Sequence, residues 1–326
     1  MKTILISISL IISHFSYCQD DDMTKYDSLI QVALKHYELK DFTSSANSYS
    51  EAFKSIGWKS YPRDKYNAAC TWSLANKPDS AFYYLTKIAV KLKYADLNSI
   101  TSDKDFFPIH TDKRWKSTIK IIKKNKAEIE KDYDHKVVKQ LEQIVIDDQN
   151  DRSKTDEIEK KFGHKSPQID SLWKVIAKKD SLNLIKVEKI LSKKGWLSPK
   201  IIGYEGVQTI FLVIQHADLK TQEKYLPMMR EANKKDEFES GSLALLEDRV
   251  ANRNGKLQIY GSQIGFDDST NLYYLLPVED PDNLDKRRSE MNLGPINEYV
   301  SMWDINWDLE EYKQKLSYYI SITKSY

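Results

Sequence analysis

The residues best suited to chemistry lie in the second half of the chain, at the end of a very apolar stretch. The element Gln215-His216-Ala217-Asp218 follows hydrophobic residues at helical spacing, so His216 is expected to emerge at the rim of a core. There it could act as a general base or a metal ligand while a carboxylate orients its ring. Asp218 or Asp248 would supply that carboxylate, which makes a hydrolase one hypothesis.

Each of these residues also has a purely structural interpretation. His216 could interact with the carbonyl groups and the dipole at a helix C-terminus. Asp218 and Asp180 each precede a predicted helix as an N-cap would. Asp248 and Arg249 could belong to a buried ion pair that braces the helices. A zinc site built from His216, Asp218 and Asp248 would satisfy ligand chemistry. Nothing in their spacing requires one, so neither a metal nor another cofactor is predicted.

A second group of polar residues suits the binding of a polar or anionic ligand. Gln258, Tyr260 and Gln263 belong to a predicted strand beside Gly261, a residue type that lets another backbone approach closely. Guanidinium groups bind carboxylate or phosphate through paired hydrogen bonds. The arginines that could converge on such an anion are Arg152, Arg249, Arg287 and Arg288. The predicted ligand-binding residues are Gln149, Arg152, Gln215, Arg249, Gln258, Tyr260, Gln263 and Arg287. The alternative for the strand is a half-exposed sheet edge.

Familiar catalytic and nucleotide-binding motifs are absent from the sequence. It contains no Walker loop, no His-Glu-x-x-His, no Cys-x-x-Cys and no dinucleotide fingerprint. The formal net charge of +2 gives no electrostatic reason to expect nucleic acid as a partner. A hydrophobic fraction of 40% with 30% charged residues is typical of globular protein rather than of disordered chain.

Several polar clusters in apolar surroundings resemble an uncharacterised bacterial family, the domain of unknown function 6624. The most specific elements are Gln-His-Ala-Asp at 215–218 and Gln-x-Tyr-Gly-x-Gln at 258–263. The accompanying clusters are Asp148-Gln149-x-x-Arg152, Asp180-x-x-Asn183, Gly195-Trp196, Glu247-Asp248-Arg249 and Asp280 with Arg287-Arg288. The resemblance covers about Val137 to Tyr299. The family pattern prefers Pro after Gly-Trp, where this chain has Leu197, and the resemblance implies no activity.

The first half of the chain shows a helical pattern that repeats. The two trios at helical spacing are Ser45, Tyr49 and Ala52, and then Ala81, Leu85 and Ile88. The pattern resembles tetratricopeptide repeats, whose period is about 34 residues. We therefore predict a tetratricopeptide-like module over residues 24–126, whose concave groove could hold a peptide or a partner protein.

A second, mostly helical domain is predicted over residues 133–322. Its predicted helices are Ile169–Lys178, Ser181–Lys194, Gly206–His216, Leu219–Lys234, Ser242–Asn252, Leu284–Met291 and Pro295–Tyr319. Arg152–Gln168 is expected to be a loop, and Lys256–Gln263 is expected to pair with Leu272–Val278 as one hairpin. The predicted fold class is mainly α: tetratricopeptide-like helical hairpins plus a helical domain with one small β-hairpin.

The N-terminus has the pattern of a secretory signal peptide. Lys2 precedes an apolar run from Ile4 to Ile12, which is too short to span a bilayer. Cleavage after Cys18 would export the chain to the periplasm or the medium. The alternative is a lipoprotein anchored through Cys18. If Cys18 is removed, Cys70 remains alone and no intramolecular disulfide can form.

Overall fold

A computed structural model of the protein describes residues 22–163 and 165–323, and the predicted signal peptide lies outside them. The chain divides between Lys131 and Asp132 into two units, each with its own core. The structure confirms the predicted fold class, because helices dominate and the sheet has two short strands. Among the described residues, no helix combines the length and the apolar character needed to cross a membrane.

The first unit consists of helices joined by short connections. Helix α1 covers residues 22–38. The others are α2 (Phe42–Ser55), α3 (Pro62–Leu74), α4 (Pro78–Thr86), α5 (Leu97–Ser102) and α6 (Lys113–Ile129), with a π-helical turn at Lys87–Lys91 and 3₁₀ turns at Lys104–Ile109 and Glu130–Asp132. Helix α3 packs between α2 and α4. Both predicted trios lie in this core and are at most 2% exposed. That burial is compatible with helical repeats, while the tetratricopeptide assignment itself stays a prediction.

The second unit contains the remaining helices. They are α7 (His135–Arg152), α8 (Thr155–Phe162), α9 (Pro167–Lys194), α10 (Pro199–His216), α11 (Leu219–Lys234), α12 (Ser240–Arg253), α13 (Leu284–Glu290), α14 (Ile296–Ser301) and α15 (Leu309–Thr323), with a 3₁₀ turn at Pro281–Asn283. Helix α10 is central, since α7, α9 and α11 all contact it. Its predicted apolar stripe is buried (Val207, Ile210, Phe211 and Ile214), which fixes the position of the polar residues at its end.

The sheet is shorter than the predicted hairpin. Strands β1 (Ile264–Asp267) and β2 (Leu272–Leu275) pair antiparallel. The prediction that Lys256–Gln263 forms a strand is wrong apart from one isolated bridge at Gln258. The backbone N–H groups of Ile259, Tyr260 and Ser262 bond to the side chain of Asp248 instead of a neighbouring strand. Gly261 also adopts a φ of +65°, which interrupts an extended chain.

Several helices differ from the predictions in their boundaries. The segment predicted as a loop contains α8, which ends at Gly163 with a φ of +89°. Ser166 caps α9 and Pro167 is its first residue, so Gly and Pro separate two helices instead of marking one long loop. Helix α9 then runs without a break through Asp180, so Asp180 is not an N-cap. The predicted helix Pro295–Tyr319 is instead divided into α14 and α15.

Candidate functional site

The end of α10 brings His216 against a buried carboxylate from α7. The distance between His216 Nδ1 and Asp148 Oδ1 is 3.0 Å, although the two residues are 68 positions apart in the chain. The Asp148 side chain is 1% exposed and that of His216 is 16% exposed. No hydrogen bond is formed by His216 Nε2 within the described part of the chain. The carboxylate therefore fixes the ring, and the second nitrogen remains available to another molecule.

Asp148 belongs to a network that also includes α9. Gln149 Nε2 donates to its Oδ2 at 2.6 Å. Arg152 Nη1 lies 3.5 Å from Asp148 Oδ1, and Arg152 Nη2 donates to Asp180 Oδ2 at 2.7 Å. Burial raises the pKa of Asp148, but the hydrogen bond to His216 and the charge of Arg152 outweigh burial and hold it below 3.8. Asp148 is thus an anion at neutral pH, with its oxygens directed at His216, Gln149 and Arg152.

The same residues offer ligand atoms that could hold a metal ion. Atoms of Asp148, Asp180 and His216 lie within 4.8 Å of one another. However, the guanidinium of Arg152 bonds to Asp180 and lies beside Asp148. A divalent cation at this point would have to displace that positive charge. The geometry therefore favours a salt-bridge network over a metal centre.

Two further arginines, both from α12, bind the backbone on either side of His216. Arg249 Nη1 donates to the Gln215 carbonyl at 3.2 Å. Arg253 Nη1 donates to the Ala217 carbonyl at 2.8 Å. The Gln215 and Ala217 carbonyl groups lie at the C-terminal end of α10, where the helix dipole favours positive charge. We call His216, Arg152, Arg249 and Arg253, together with Asp148, the arginine–histidine cluster.

Arg249 has an unusual environment for a guanidinium. It is half-buried, and among the described residues neither Arg249 nor Arg253 forms an ion pair with a carboxylate. Burial lowers the pKa of Arg249, and the nearby charges of Arg253 and Arg152 lower it further. Its other bond runs from Nε to Gln263 Oε1 at 3.2 Å. Half-buried cations are normally paired, so this one lacks the anion that would balance it.

The two carboxylates that were candidates to orient His216 have other partners. Asp218 caps α11 and accepts from the Thr221 backbone N–H at 2.8 Å. Asp248 is fully buried and accepts from the backbone N–H groups of Ile259, Tyr260 and Ser262. Among the described residues neither Asp248 nor Arg249 forms an ion pair, so the expectation of a buried ion pair that braces the helices is wrong. Burial raises the pKa of Asp248, and these backbone bonds oppose the rise.

Most of the predicted residues after Asp248 hold the loop at 256–263. Gln258 is fully buried and donates to the Leu276 carbonyl at 2.7 Å. Arg287 donates to the Ile259 carbonyl at 2.8 Å, and Arg288 donates to the Tyr260 carbonyl at 2.7 Å. The hydroxyl of Tyr260 donates to Glu247 Oε2 at 3.2 Å.

The structure thus brings together part of the predicted ligand-binding set. Gln149, Arg152, Gln215, Arg249 and Gln263 contact the arginine–histidine cluster or belong to it. The described hydrogen bonds of the Gln258, Tyr260 and Arg287 side chains run to other partners. The sequence did not indicate that Asp148 orients His216, and Arg253 was not among the predicted site residues. The only local signal was the spacing of Asp148 and Arg152, four residues apart on one helix face.

Replacing His216 with Gln is expected to raise the pKa of Asp148, because its hydrogen bond to His216 is the strongest influence that opposes burial. The carboxyl ¹³C resonance of Asp148 during a pH titration measures this. His135→Gln makes the same change at an exposed position of the same unit and should leave the titration as it is. An Asp148 titration that is the same in His216→Gln and in the parent protein would contradict the coupling of Asp148 to His216.

The same coupling has a consequence for stability. Because the folded-state pKa of Asp148 lies below its ordinary value of 3.8, the network stabilises the fold above that pH. The stabilisation is lost as pH falls through the lower, folded-state value. The difference in free energy of unfolding between the parent protein and His216→Gln should therefore shrink under acidic conditions.

Comparison with known proteins assigns the second unit to a family. No curated protein and no solved structure matches the chain. A family model described as a family of unknown function (DUF6624) matches residues 138–311, which include the whole arginine–histidine cluster. The match extends over more than half of the chain and confirms the resemblance carried by the Gln-His-Ala-Asp element. The chain therefore belongs to this family of unknown function.

Proposed function

We propose that the second unit binds a small oxyanion, a carboxylate or a phosphate, at the arginine–histidine cluster. The observation that carries the proposal is the half-buried guanidinium of Arg249 without a carboxylate partner in the described structure. Guanidinium groups bind such anions through paired, charge-assisted hydrogen bonds. Arg253 flanks the same helix end and would add donors to the same anion. His216 Nε2 would add a further donor in the protonated form of the ring, in which both nitrogens carry hydrogen.

The charges of the cluster favour a negatively charged ligand. Arg152 lies between Asp148 and Asp180 and balances one of their two negative charges. Arg249 and Arg253 add positive charge, and neither forms an ion pair with a described carboxylate. A bound anion would complete this network and relieve the mutual repulsion of three guanidinium groups. Calorimetric titration of the full chain with phosphate, sulfate, acetate and citrate tests the proposal. Saturable binding of at least one of them is expected, and no heat from any of them would contradict it.

A second candidate function is acid–base catalysis, which the Asp148–His216 pair favours. A buried carboxylate bonded to Nδ1 holds the imidazole so that Nε2 can accept a proton from a bound water or substrate. The hydrolase hypothesis is retained in this form, with Asp148 in the orienting role first considered for Asp218 or Asp248. Arg249 and Arg253 would stabilise negative charge that develops on the substrate.

Under the catalytic hypothesis, Asp148→Asn should lower kcat by about 10²–10⁴ on any hydrolysed substrate, since the ring would lose its orienting charge. Carboxylic and phosphoric p-nitrophenyl esters serve as probes. Asp218→Asn is the matched control, because its side chain caps α11 and does not bond to His216. Absence of turnover by the parent protein on both ester classes would remove this candidate, as would an equal loss in both variants.

Export is proposed separately from the N-terminal sequence. The run from Ile4 to Ile12 and the polar residues before Cys18 favour removal of a signal peptide. The alternative is a lipid anchor at Cys18. Fractionation of producing cells with sequencing of the mature terminus distinguishes these possibilities. An intact Met1 in the cytosol would contradict both.

A further inference from the structure

The first unit contains a cavity of about 220 Å³ that is unrelated to the arginine–histidine cluster. Its walls include three tyrosines, Tyr37, Tyr49 and Tyr66, and two carboxylates, Asp103 and Asp105. The carboxylates follow α5 at the start of a 3₁₀ turn, while the tyrosines come from α1, α2 and α3. Elements distant in the chain therefore converge on one aromatic, acidic hollow.

The negative charge of this cavity is not balanced. No Lys, Arg or His lines it, and among the described residues neither carboxylate forms an ion pair. Burial raises the pKa of Asp105, and the neighbouring Asp103 charge raises it further against the effect of the Tyr37 hydrogen bond. Partly desolvated charges are normally paired, so an acidic hollow of this kind has the chemistry to bind a cation.

Most carboxylate oxygens of the cavity already accept hydrogen bonds, which argues against a metal ion as the ligand. Asp103 accepts from the Asp105 backbone N–H through Oδ1, at 3.0 Å, and from Tyr66 through Oδ2, at 2.9 Å. Asp105 accepts from Tyr37 through Oδ2 at 2.8 Å, which leaves only Oδ1 without a described donor. Calcium needs six to eight oxygen ligands. Burial also raises the pKa of Cys70, so its thiol stays protonated and is a poor ligand for zinc.

An alkylammonium group fits the same features. It needs one carboxylate oxygen and a few acceptors rather than a full coordination shell. Tyrosine rings attract ammonium groups through their faces when they lie within about 6 Å. The cavity is several times larger than the roughly 30 Å³ that one water molecule occupies in the liquid, so it has room for the alkyl chain as well as the charged end.

We propose that this cavity is a binding site for a primary alkylammonium group, with Asp105 as its charge partner and Tyr37, Tyr49 and Tyr66 as its aromatic walls. The group is supplied either by a lysine side chain of a peptide or by a free diamine. This proposal does not depend on anion binding by the second unit.

Calorimetric titration of the full chain with three probes tests the site. The probes are Nα-acetyl-lysine methylamide, putrescine and the uncharged 1,4-butanediol. At least one amine should bind, and the diol should not. Binding of only the lysine derivative would assign the site to a peptide, and binding of only putrescine would assign it to free diamines. Failure of both amines to bind, or heat from calcium or zinc ions instead, would overturn the proposal.

Asp105→Asn provides the matched variant, since it removes the charge but keeps an oxygen that can accept from Tyr37. It should weaken amine binding at least tenfold. Asp27→Asn makes the same change on an exposed face of the same unit and should leave the affinity as it is. Backbone amide resonances of Tyr37 and Asp105 provide a second measurement that does not require a variant. They should shift on addition of the binding amine, and unshifted resonances would overturn the proposed location.

Discussion

Replacing Asp248 with Ala is expected to lower the free energy of unfolding by about 3–5 kcal/mol. The carboxylate is fully buried and accepts from the backbone N–H groups of Ile259, Tyr260 and Ser262. Alanine would leave these donors without a partner in a place that water does not reach. The loop at 256–263 would lose the carboxylate that holds its backbone in place. Gln263, whose Oε1 accepts a hydrogen bond from Arg249, would then no longer be held in position.

Urea denaturation followed by circular dichroism measures this loss. Asp218→Ala is the matched control, because it also removes a carboxylate that accepts from the backbone, but at an exposed helix cap. The control should lose much less stability than Asp248→Ala. Equal losses in the two variants would show that the bonds from Asp248 to the loop do not carry the stability assigned to them.

Replacing Arg249 with Gln is expected to weaken oxyanion binding by about 10- to 100-fold. A charge-assisted hydrogen bond contributes about 1.5–3 kcal/mol, and each 1.4 kcal/mol is a factor of ten in affinity. Glutamine carries no charge, and its amide nitrogen, which falls near the position of the arginine Nε, can still donate to Gln263 Oε1. Calorimetry with the best-bound anion gives the two dissociation constants.

Two further variants separate loss of charge from loss of structure. Arg253→Gln changes an exposed residue and should weaken binding without a large effect on stability. Arg63→Gln lies in the first unit with its side chain 81% exposed, and it should leave anion affinity unchanged. Equal affinity in Arg249→Gln and the parent protein would contradict the placement of the anion.

Local signals in the sequence predicted several elements of the second unit correctly. Helix α11 covers Leu219–Lys234 as expected, because Asp218 caps its first turn and the apolar spacing continues to its end. The apolar stripe on α10 is also buried as expected, because its hydrophobic residues recur at helical spacing. Contacts between residues close in sequence decide these features, and periodicity and capping make such contacts visible.

Interactions between distant residues decide the features that the sequence did not reveal. The segment 256–263 alternates like a strand, but the carboxylate of Asp248 bonds to its N–H groups from a neighbouring helix. Asp148 could not be paired with His216 because their contact depends on the packing of α7 against α10. Arg253 was missed because its carbonyl partner, Ala217, follows another helix and lies 36 positions away.

The most direct test of the anion site follows the side-chain Nε–Hε resonance of Arg249 by NMR during addition of phosphate. Oxyanion binding at the arginine–histidine cluster predicts a saturable shift of this resonance, and of the His216 ring, that disappears in Arg249→Gln. Resonances that stay in place up to the highest phosphate and carboxylate concentrations would contradict it.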